Sequence, residues 1–253
     1  KDFGDSDVPV DVPAGAANLT RGIVAGGYRP SPTAADTDNI SMLTIATLGD
    51  TTTWGTLSSA RRNRDGCGDH SRGLFMSGYS TTAQIDYLTF MSTGVSIDFG
   101  DTTQSRYNPA NVSDATRAVC CGGANPTTNI CDYVTIQSTG NAQDFGDLVK
   151  ASANNCGHSS STRGIIGMDG TEVNYITIAT TGNAADFGDV NNGNHKNVTG
   201  SSTRCCLAGG YTPTQQNTIE YVTMTTLGNG SDFGDLTAAR SGGASFSNSG
   251  GGL

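Results

Sequence analysis

Apolar positions recur along the chain in short segments, not in helical stripes. Five segments of six residues combine β-branched, aliphatic and aromatic residues with threonine, a composition typical of strands. They span residues 40–45, 85–90, 131–136, 173–178 and 219–224. No window shows an apolar stripe at helical spacing, so we expect an all-β chain with no helix longer than about two turns.

Three other patterns accompany each of these segments. A run that opens with Arg and usually ends in Gly precedes it, and these arginines are Arg21, Arg72, Arg117, Arg163 and Arg204. An aromatic element follows it, mostly Asp-Phe-Gly-Asp, with its ring at Phe3, Trp54, Phe99, Phe145, Phe187 and Phe233. A stretch rich in Gly, Ser, Asn and Ala separates one unit from the next. Each unit therefore predicts four strands.

The aromatic positions repeat at intervals of about 46 residues, a period typical of propeller blades. We therefore predict one all-β domain over residues 1–253, a β-propeller of four-stranded blades with the small-residue strand innermost. Phe99, Phe145, Phe187 and Phe233 should be buried between adjacent blades.

Five units are complete, and the two ends of the chain supply fragments of a sixth. We expect six blades, the last shared between the termini, because terminal pairing removes exposed sheet edges. Residues 2–5 would provide its outer strand. The segment after Asp235 would provide its inner strand and, at residues 249–253, the start of its second. Whether the chain is part of a longer polypeptide stays open.

The repeat resembles the kelch repeat. Arg240-Ser241-Gly242, Ala208-Gly209-Gly210-Tyr211 and Trp54 stand where that pattern has an Arg-Ser-Gly-His strand, a strand ending in Gly-Gly and a Trp before the next blade. The Gly-Gly pair is complete in only three units, and the aromatic residue is mostly Phe. The chain is also similar to the Asp-Phe-Gly-Asp-rich repeats of bacteriophage structural and tail-fibre proteins. These resemblances imply a propeller fold and a location in a virion or outside the cell.

Composition narrows the possible functions. The net charge of −9 argues against nucleic-acid binding through a basic surface. No apolar run is long enough to span a bilayer, so we expect no membrane insertion. The seven cysteines are an odd number, which a disulfide framework would not favour, and we interpret them mostly as small buried hydrophobic residues.

Residues suited to catalysis are few. His70, His158 and His195 fall in three different units, whereas a metal site needs three or four converging ligands. We therefore expect no enzyme activity, no catalytic residue, no metal and no cofactor. The oxygen-rich Asn-x-x-Asp-Phe-Gly-Asp segments superficially suggest calcium-binding loops. A structural interpretation is favoured, in which the aspartates pair with the repeated arginines.

This interpretation predicts ion pairs between two repeated sets. The arginines are Arg21, Arg72, Arg117, Arg163 and Arg204. The carboxylates are Asp98, Asp101, Asp144, Asp147, Asp186, Asp189, Asp232 and Asp235. Guanidinium and carboxylate groups match in shape, so we expect bonds within a blade or to its neighbour.

A second set of cations lies about seven residues after the aromatic positions. It comprises Arg61, Arg106, Lys150, Lys196 and Arg240. These cations should ring one mouth of the central channel and could hold an acidic ligand. The same face should carry the loops between second and third strands, whose longest contains Arg29, Asp36 and Asp38. We treat all eight residues as candidate ligand contacts.

The function expected from these features is that of a non-enzymatic binding module, of the adhesin or fibre-tip type. Its ligand would be a surface glycan or a protein. The alternative is a purely structural virion or extracellular assembly domain that binds copies of itself or other parts of a virion.

Overall fold

The protein is all-β and forms a β-propeller, as the repeat predicts. Its structure, a computed structural model, describes residues 3–30, 32, 34–62, 65–79, 82–191 and 194–247. These residues form 23 strands and no helix. None of them, accordingly, lies in a helix able to cross a membrane.

Five sheets form the blades, and the blades follow one another in the order of the chain. Blade 1 contains β1 (Ala14–Ala17), β2 (Arg21–Ala25), β5 (Asn39–Thr44) and β6 (Thr52–Thr56), and β3 (Tyr28–Arg29) pairs with β4 (Ala35–Asp36) in its longest loop. Blade 2 contains β7 (Asp65–Gly68), β8 (Arg72–Met76), β9 (Gln84–Thr89) and β11 (Ile97–Asp101), while β10 (Gly94–Val95) pairs in parallel with β6.

Blades 3 to 5 are regular antiparallel four-stranded sheets. Blade 3 contains β12 (Ala110–Ser113), β13 (Arg117–Gly123), β14 (Thr128–Thr135) and β15 (Gln143–Ser152). Blade 4 contains β16 (Cys156–Ser159), β17 (Arg163–Gly167), β18 (Glu172–Thr177) and β19 (Ala185–Asp189). Blade 5 contains β20 (Asn197–Gly200), β21 (Arg204–Ala208), β22 (Thr218–Thr223) and β23 (Ser231–Asp235).

The first strand of each blade lies at the axis, as expected from its small residues. Strand β1 contacts β7, β7 contacts β12, β12 contacts β16 and β16 contacts β20. The sequences of these strands, such as Ala-Gly-Ala-Ala in β1 and Asp-Gly-Cys-Gly in β7, leave room for this approach. Between β20 and β1 the ring is completed by residues near Ser245, whose Oγ donates to the Val198 carbonyl at 2.6 Å.

The expected count of six blades is corrected to five sheets. Phe3 and Asp5 do dock on blade 1 as an outer strand would, because their carbonyls accept from the N–H groups of Gly49 and Thr51 at 2.9 Å. The described residues offer no second or third strand between this segment and the inner one, so no ladder forms there. Residues 249–253, the predicted start of the second strand, and Asp2 lie outside the described residues.

The repeated Phe is the centre of each interface between blades. Phe99, Phe145 and Phe187 are 2–3% exposed. Phe145, for example, belongs to a cluster that joins Val119 and Leu148 of blade 3 to Ile166 and Ile178 of blade 4. The same prediction is wrong for Phe233, which is 56% exposed, because the described residues form no sixth blade that could cover it.

The other residues of Asp-Phe-Gly-Asp bind the neighbouring turn through the main chain. Gly182 donates its N–H to the Phe145 carbonyl at 2.7 Å, and Asp147 donates its N–H to Asn183 Oδ1 at 3.0 Å. Gly146 has φ of 140°, and a Cβ there would lie 2.5 Å from the Gly182 carbonyl oxygen, so only glycine fits. The Asn of the Asn-x-x-Asp-Phe-Gly-Asp segment is thus a side-chain acceptor for a backbone N–H, and it links two blades.

The predicted ion pairs between the two repeated sets do not form among the described residues, and this interpretation is corrected. Four of the five arginines donate from Nη1 to a main-chain carbonyl at the end of the third strand of the next blade. Arg72 reaches Ile136 at 2.8 Å, Arg117 reaches Ala179 at 2.9 Å, Arg163 reaches Met224 at 2.7 Å, and Arg21 reaches Phe90. Their supposed partners are Asp98, Asp101, Asp144, Asp147, Asp186, Asp189, Asp232 and Asp235, and all but the half-buried Asp147 are exposed.

The reason is geometric. In a strand, neighbours of an inward-facing residue point to the opposite face, so each Phe directs its flanking aspartate away from the interface. The arginine instead lies over the Tyr ring of its own blade, as Arg163 does at 4.6 Å from the centroid of Tyr175. Blade 1 has Met42 in place of that Tyr, and its Arg21 lies over Trp54 at 4.8 Å. A cation–π contact and one carbonyl therefore replace the expected carboxylate.

We predict that Phe145→Ala lowers the free energy of unfolding by about 3–5 kcal/mol, since it opens a cavity between two blades. Phe233→Ala, the matched change on an exposed ring, should cost about 0.5 kcal/mol or less. Equilibrium urea unfolding of both variants measures the difference. Equal losses would contradict the assignment of the interfaces.

Candidate ligand-binding face

Two of the predicted ligand-binding cations are buried inside the fold. Arg61 is 3% exposed and forms an ion pair with Asp86 of blade 2, and Arg106 is 0% exposed and forms one with Asp132 of blade 3. Each pair joins the linker after one blade to the third strand of the next. These arginines hold neighbouring blades together, so the expectation that they line an open mouth is corrected.

Lys196 is buried in a related way. Its Nζ donates to the carbonyls of Met168 at 3.2 Å and Gly170 at 2.7 Å. Burial lowers the pKa of Lys196, and nearby acidic groups, including Glu220, oppose that change. Lys196 is therefore also held by groups of the protein itself, and the expectation that it lines an open channel mouth is corrected.

The remaining candidates lie at the surface. Lys150 pairs with Glu172 at 2.6 Å, and both side chains are more than a third exposed. Asp38 and Arg240 are exposed, and Arg29 is half-buried. Asp36 pairs with Arg62 at 3.4 Å. The ring of cations expected from the sequence is therefore reduced to separate surface groups.

A compact group of aromatic side chains surrounds Arg62 on the loop face, and we name it the rim cluster: Tyr28, Arg62, Tyr79 and Tyr107. The guanidinium of Arg62 lies 4.5 Å from the ring centroid of Tyr28 and 4.4 Å from that of Tyr79. The rings of Tyr79 and Tyr107 meet edge to face at 5.5 Å. These contacts fix the side chains while Tyr79 stays 40% exposed.

The backbone positions this cluster from two kinds of loop. Tyr28 and Tyr79 follow the second strands of blades 1 and 2, and Arg62 and Tyr107 follow the outer strands. The Tyr79 N–H donates to the Arg62 carbonyl at 2.7 Å, and the Tyr28 N–H donates to the Asp11 carbonyl at 2.8 Å. The blades thus hold the cluster on a rigid base, which is how repeat scaffolds present recognition surfaces.

The rim cluster was not among the sites predicted from the sequence, although a signal was present. Tyr28, Tyr79 and Tyr211 each follow a glycine that closes the second strand. Arg62 and Tyr107 each stand one residue after a cation of the ring set. Tyr211 is 49% exposed, and it has no aromatic or cation–π partner among the described residues. Only the fold shows which of these tyrosines meet.

The channel mouth on the axis is narrow and is bordered by the half-buried Asp65. Asp65 borders a pocket of about 70 Å³ together with Asn108, Asn154 and His195. Its Oδ2 accepts from the N–H of Asn111 at 2.9 Å. Burial raises the pKa of Asp65 to about 7, against the opposing effect of the backbone N–H groups that bind it. A pocket of this size admits water or a small ion, not a sugar or peptide.

Among the described residues, no three acidic, histidine or cysteine side chains converge as metal ligands would. His158, one of the three histidines, places Nε2 3.2 Å from the Ser201 carbonyl oxygen. Burial lowers its pKa, which favours the neutral ring. Its side chain links the inner strand of blade 4 to the residues that follow the inner strand of blade 5.

No protein-family model and no curated protein matches this chain.

We predict that Asp65→Asn removes a pH dependence of stability. The folded-state pKa of about 7 lies above the usual value of 3.8, so the folded protein binds the proton more tightly than the unfolded chain. Stability should therefore fall as pH rises from about 4 to 7 and stay level above that range, as far as this group is concerned. Urea midpoints measured across this range should diverge between the natural protein and the variant. Parallel curves would contradict the assignment; Asp98→Asn, an exposed acid, is the control.

Proposed function

We propose that this protein is a non-enzymatic binding module whose rim cluster contacts a surface glycan or protein. The observation that supports this most directly is the arrangement of Tyr28, Arg62, Tyr79 and Tyr107, which is preorganised by cation–π and aromatic contacts yet partly exposed. Side chains held in place before binding lose little entropy on binding. The cluster therefore has the features of an anchor for a ligand.

The composition of the cluster favours a protein ligand over a glycan. Tyr and Arg are enriched among the residues that dominate protein interfaces. Two tyrosine rings stack on the Arg62 guanidinium, so its remaining donors are directed along its edge. Asp36, 3.4 Å from Arg62, adds an acceptor to the same surface. Arg29 and Asp38 of the same loop are further candidate contacts.

The proposed setting is a virion or the extracellular space. The kelch-like pattern and the similarity to phage fibre repeats support this proposal. The cysteines are compatible with it: all seven are unpaired and six are buried. Burial raises the pKa of Cys67, Cys120, Cys121, Cys156 and Cys205, so few thiolates would be available to oxidation even in an oxidising compartment.

A purely structural assembly role is the second candidate. The exposed ring of Phe233 favours it, since large apolar groups exposed at the flank of a sheet often mark contact surfaces. Native mass spectrometry distinguishes the two: an assembly domain forms stable oligomers alone, whereas a binding module stays monomeric until its ligand is added.

We predict that Tyr79→Ala weakens ligand binding by roughly 30-fold or more, because it removes the central ring of the cluster. Tyr211→Ala, which deletes a similarly exposed tyrosine outside the cluster, should change affinity by less than about threefold. Binding is measured on a glycan array and against immobilised host envelope proteins, after both variants are shown to unfold like the natural protein. Equal effects of the two changes would refute the rim cluster as the binding site.

A further inference from the structure

Two cysteines face each other across the hairpin of blade 3. Strand β13 pairs antiparallel with β14, and in this register Cys121 lies directly opposite Cys131. The Ile136 N–H donates to the Thr116 carbonyl at 2.8 Å, and hydrogen-bonded and non-hydrogen-bonded pairs alternate along an antiparallel ladder. Counted from Thr116, the two cysteines therefore form a non-hydrogen-bonded pair, in which Cα atoms are about 4.5 Å apart.

The side chains of this pair point to the same side of the sheet. Cys121 and Cys131 both belong to the buried cluster that contains Phe145, and neither is more than 1% exposed. Their thiols share a hydrogen bond. Protein disulfides join Cα atoms about 4.4–6.8 Å apart, so the backbone would need little adjustment to accept a bond between the two sulfur atoms.

The other cysteines lack this arrangement, and the structure describes all seven. Cys67 and Cys120 share one buried cluster, and Cys156 and Cys205 share another. No strand pairing places the members of either couple opposite each other. Cys206 is half-buried and lies outside these clusters. The odd number of cysteines is thus compatible with a single cross-link.

The same pair in the other blades consists of ordinary packing residues. It is Ala25 with Ile40, Met76 with Ile85, Gly167 with Val173, and Ala208 with Ile219. Aliphatic side chains, methionine and glycine therefore suffice to pack a blade at this point. Cysteine at both members of the pair in blade 3 needs a further explanation.

This pair forms the base of a loop that supports one member of the rim cluster. Cys121 is the last residue of β13 in regular register with β14 before a bulge. Beyond it, Ala124 exchanges two backbone hydrogen bonds with Tyr107, at 2.8 and 3.1 Å. A covalent bond between Cys121 and Cys131 would close the base of this loop and restrict the segment that holds Tyr107.

We propose that Cys121 and Cys131 form a cross-strand disulfide that staples the hairpin when the protein folds in an oxidising compartment. The oxidant is a small-molecule disulfide such as glutathione disulfide. One cysteine thiolate attacks a sulfur of the reagent, displaces its first thiolate and gives a mixed disulfide. The second cysteine thiolate attacks the protein sulfur of that mixed disulfide and displaces the second. The cysteines lose two protons and two electrons, and the reagent is reduced to two thiols.

Folding is the stage at which this bond can form. Burial raises the pKa of the Cys121 thiol well above its usual value, and the hydrogen bond with Cys131 raises it further. A protonated thiol is a poor nucleophile, so the closed blade protects this pair from thiol exchange. Both thiols are accessible while the hairpin is still open, and closure of the blade would then shield the finished bond from reducing agents.

The test refolds the protein from urea into a glutathione redox buffer or into a reducing buffer. We expect the thiols that react with iodoacetamide after denaturation to fall from seven in the reduced protein to five in the oxidised one, because one bond consumes two of the seven cysteines. The bond should raise the thermal midpoint by roughly 5–10 °C, since it restricts the unfolded chain. Hydrogen exchange at the Ala124 N–H should become slower.

Cys120 provides the matched control, because it is adjacent to Cys121 but packs in the cluster on the opposite face. Cys121→Ala and Cys131→Ala should each abolish the bond and the gain in thermal midpoint, whereas Cys120→Ala should keep both. Fragmentation of the tryptic peptide 118–150 of the natural protein locates the bond whether or not the variants fold. Backbone cleavage between Cys120 and Cys121 should release a fragment, and cleavage between Cys121 and Cys131 should release none.

Three results would overturn the proposal. They are seven reactive thiols after oxidative refolding, a bond that joins any other two cysteines, and equal thermal midpoints of the oxidised and reduced protein. With seven reactive thiols, Cys121 and Cys131 serve only as small apolar residues. Tyr79→Ala should leave the thiol count and the gain in thermal midpoint unchanged, so a failure of this proposal is distinct from a failure of the rim cluster as a binding site.

Discussion

No blade of this protein can bury its own outer aromatic residue. The ring of Phe99, Phe145 or Phe187 projects from the last strand of one sheet, and residues of the second and third strands of the next sheet complete its burial. The other contacts between blades depend on the packing of this ring. The packing sets the distance at which the glycines of two blades approach each other and at which an arginine reaches a carbonyl. Stability in such an array is a sum over neighbours, and each interface is as strong as the partner that completes it.

The repeated polar residues follow from the same constraint. An arginine at the start of the second strand is held over a tyrosine of its own blade and donates to the main chain of the next. A main-chain acceptor is present whatever side chain occupies the neighbouring position. This makes the contact tolerant of substitution in the partner blade, whereas a carboxylate would have to be maintained in each unit. The exposed aspartates of Asp-Phe-Gly-Asp can then serve solubility, in line with the net charge of −9.

The fold was predictable from the sequence because its signals are local and repeated: strand composition, small residues at the axis and the period of the aromatic positions. The pairing of side chains was not. Arg163 and Asp189 recur with the same period, but periodicity places them in register without saying which faces they occupy. Asp86 and Asp132, the true partners of Arg61 and Arg106, stand at a position that is Ser41 in blade 1 and Asn174 in blade 4. A search for shared residues therefore passes over them. The rim cluster was not predicted for the opposite reason, because it forms only where two blades bring unlike loop residues together.

The rim cluster and the outer edge of blade 1 are joined by one short segment. From Phe3 the chain follows the outer edge of blade 1, passes Asp7 with its three hydroxyl donors, and reaches Asp11, whose backbone exchanges two hydrogen bonds of 2.8 Å with Tyr28. Tyr28 in turn forms one side of the stack on Arg62. Because these contacts follow one another along the chain, the placement of the amino-terminal segment on blade 1 and the placement of the Tyr28 ring are set together. The connection is physical and contiguous, and it runs through blade 1 alone.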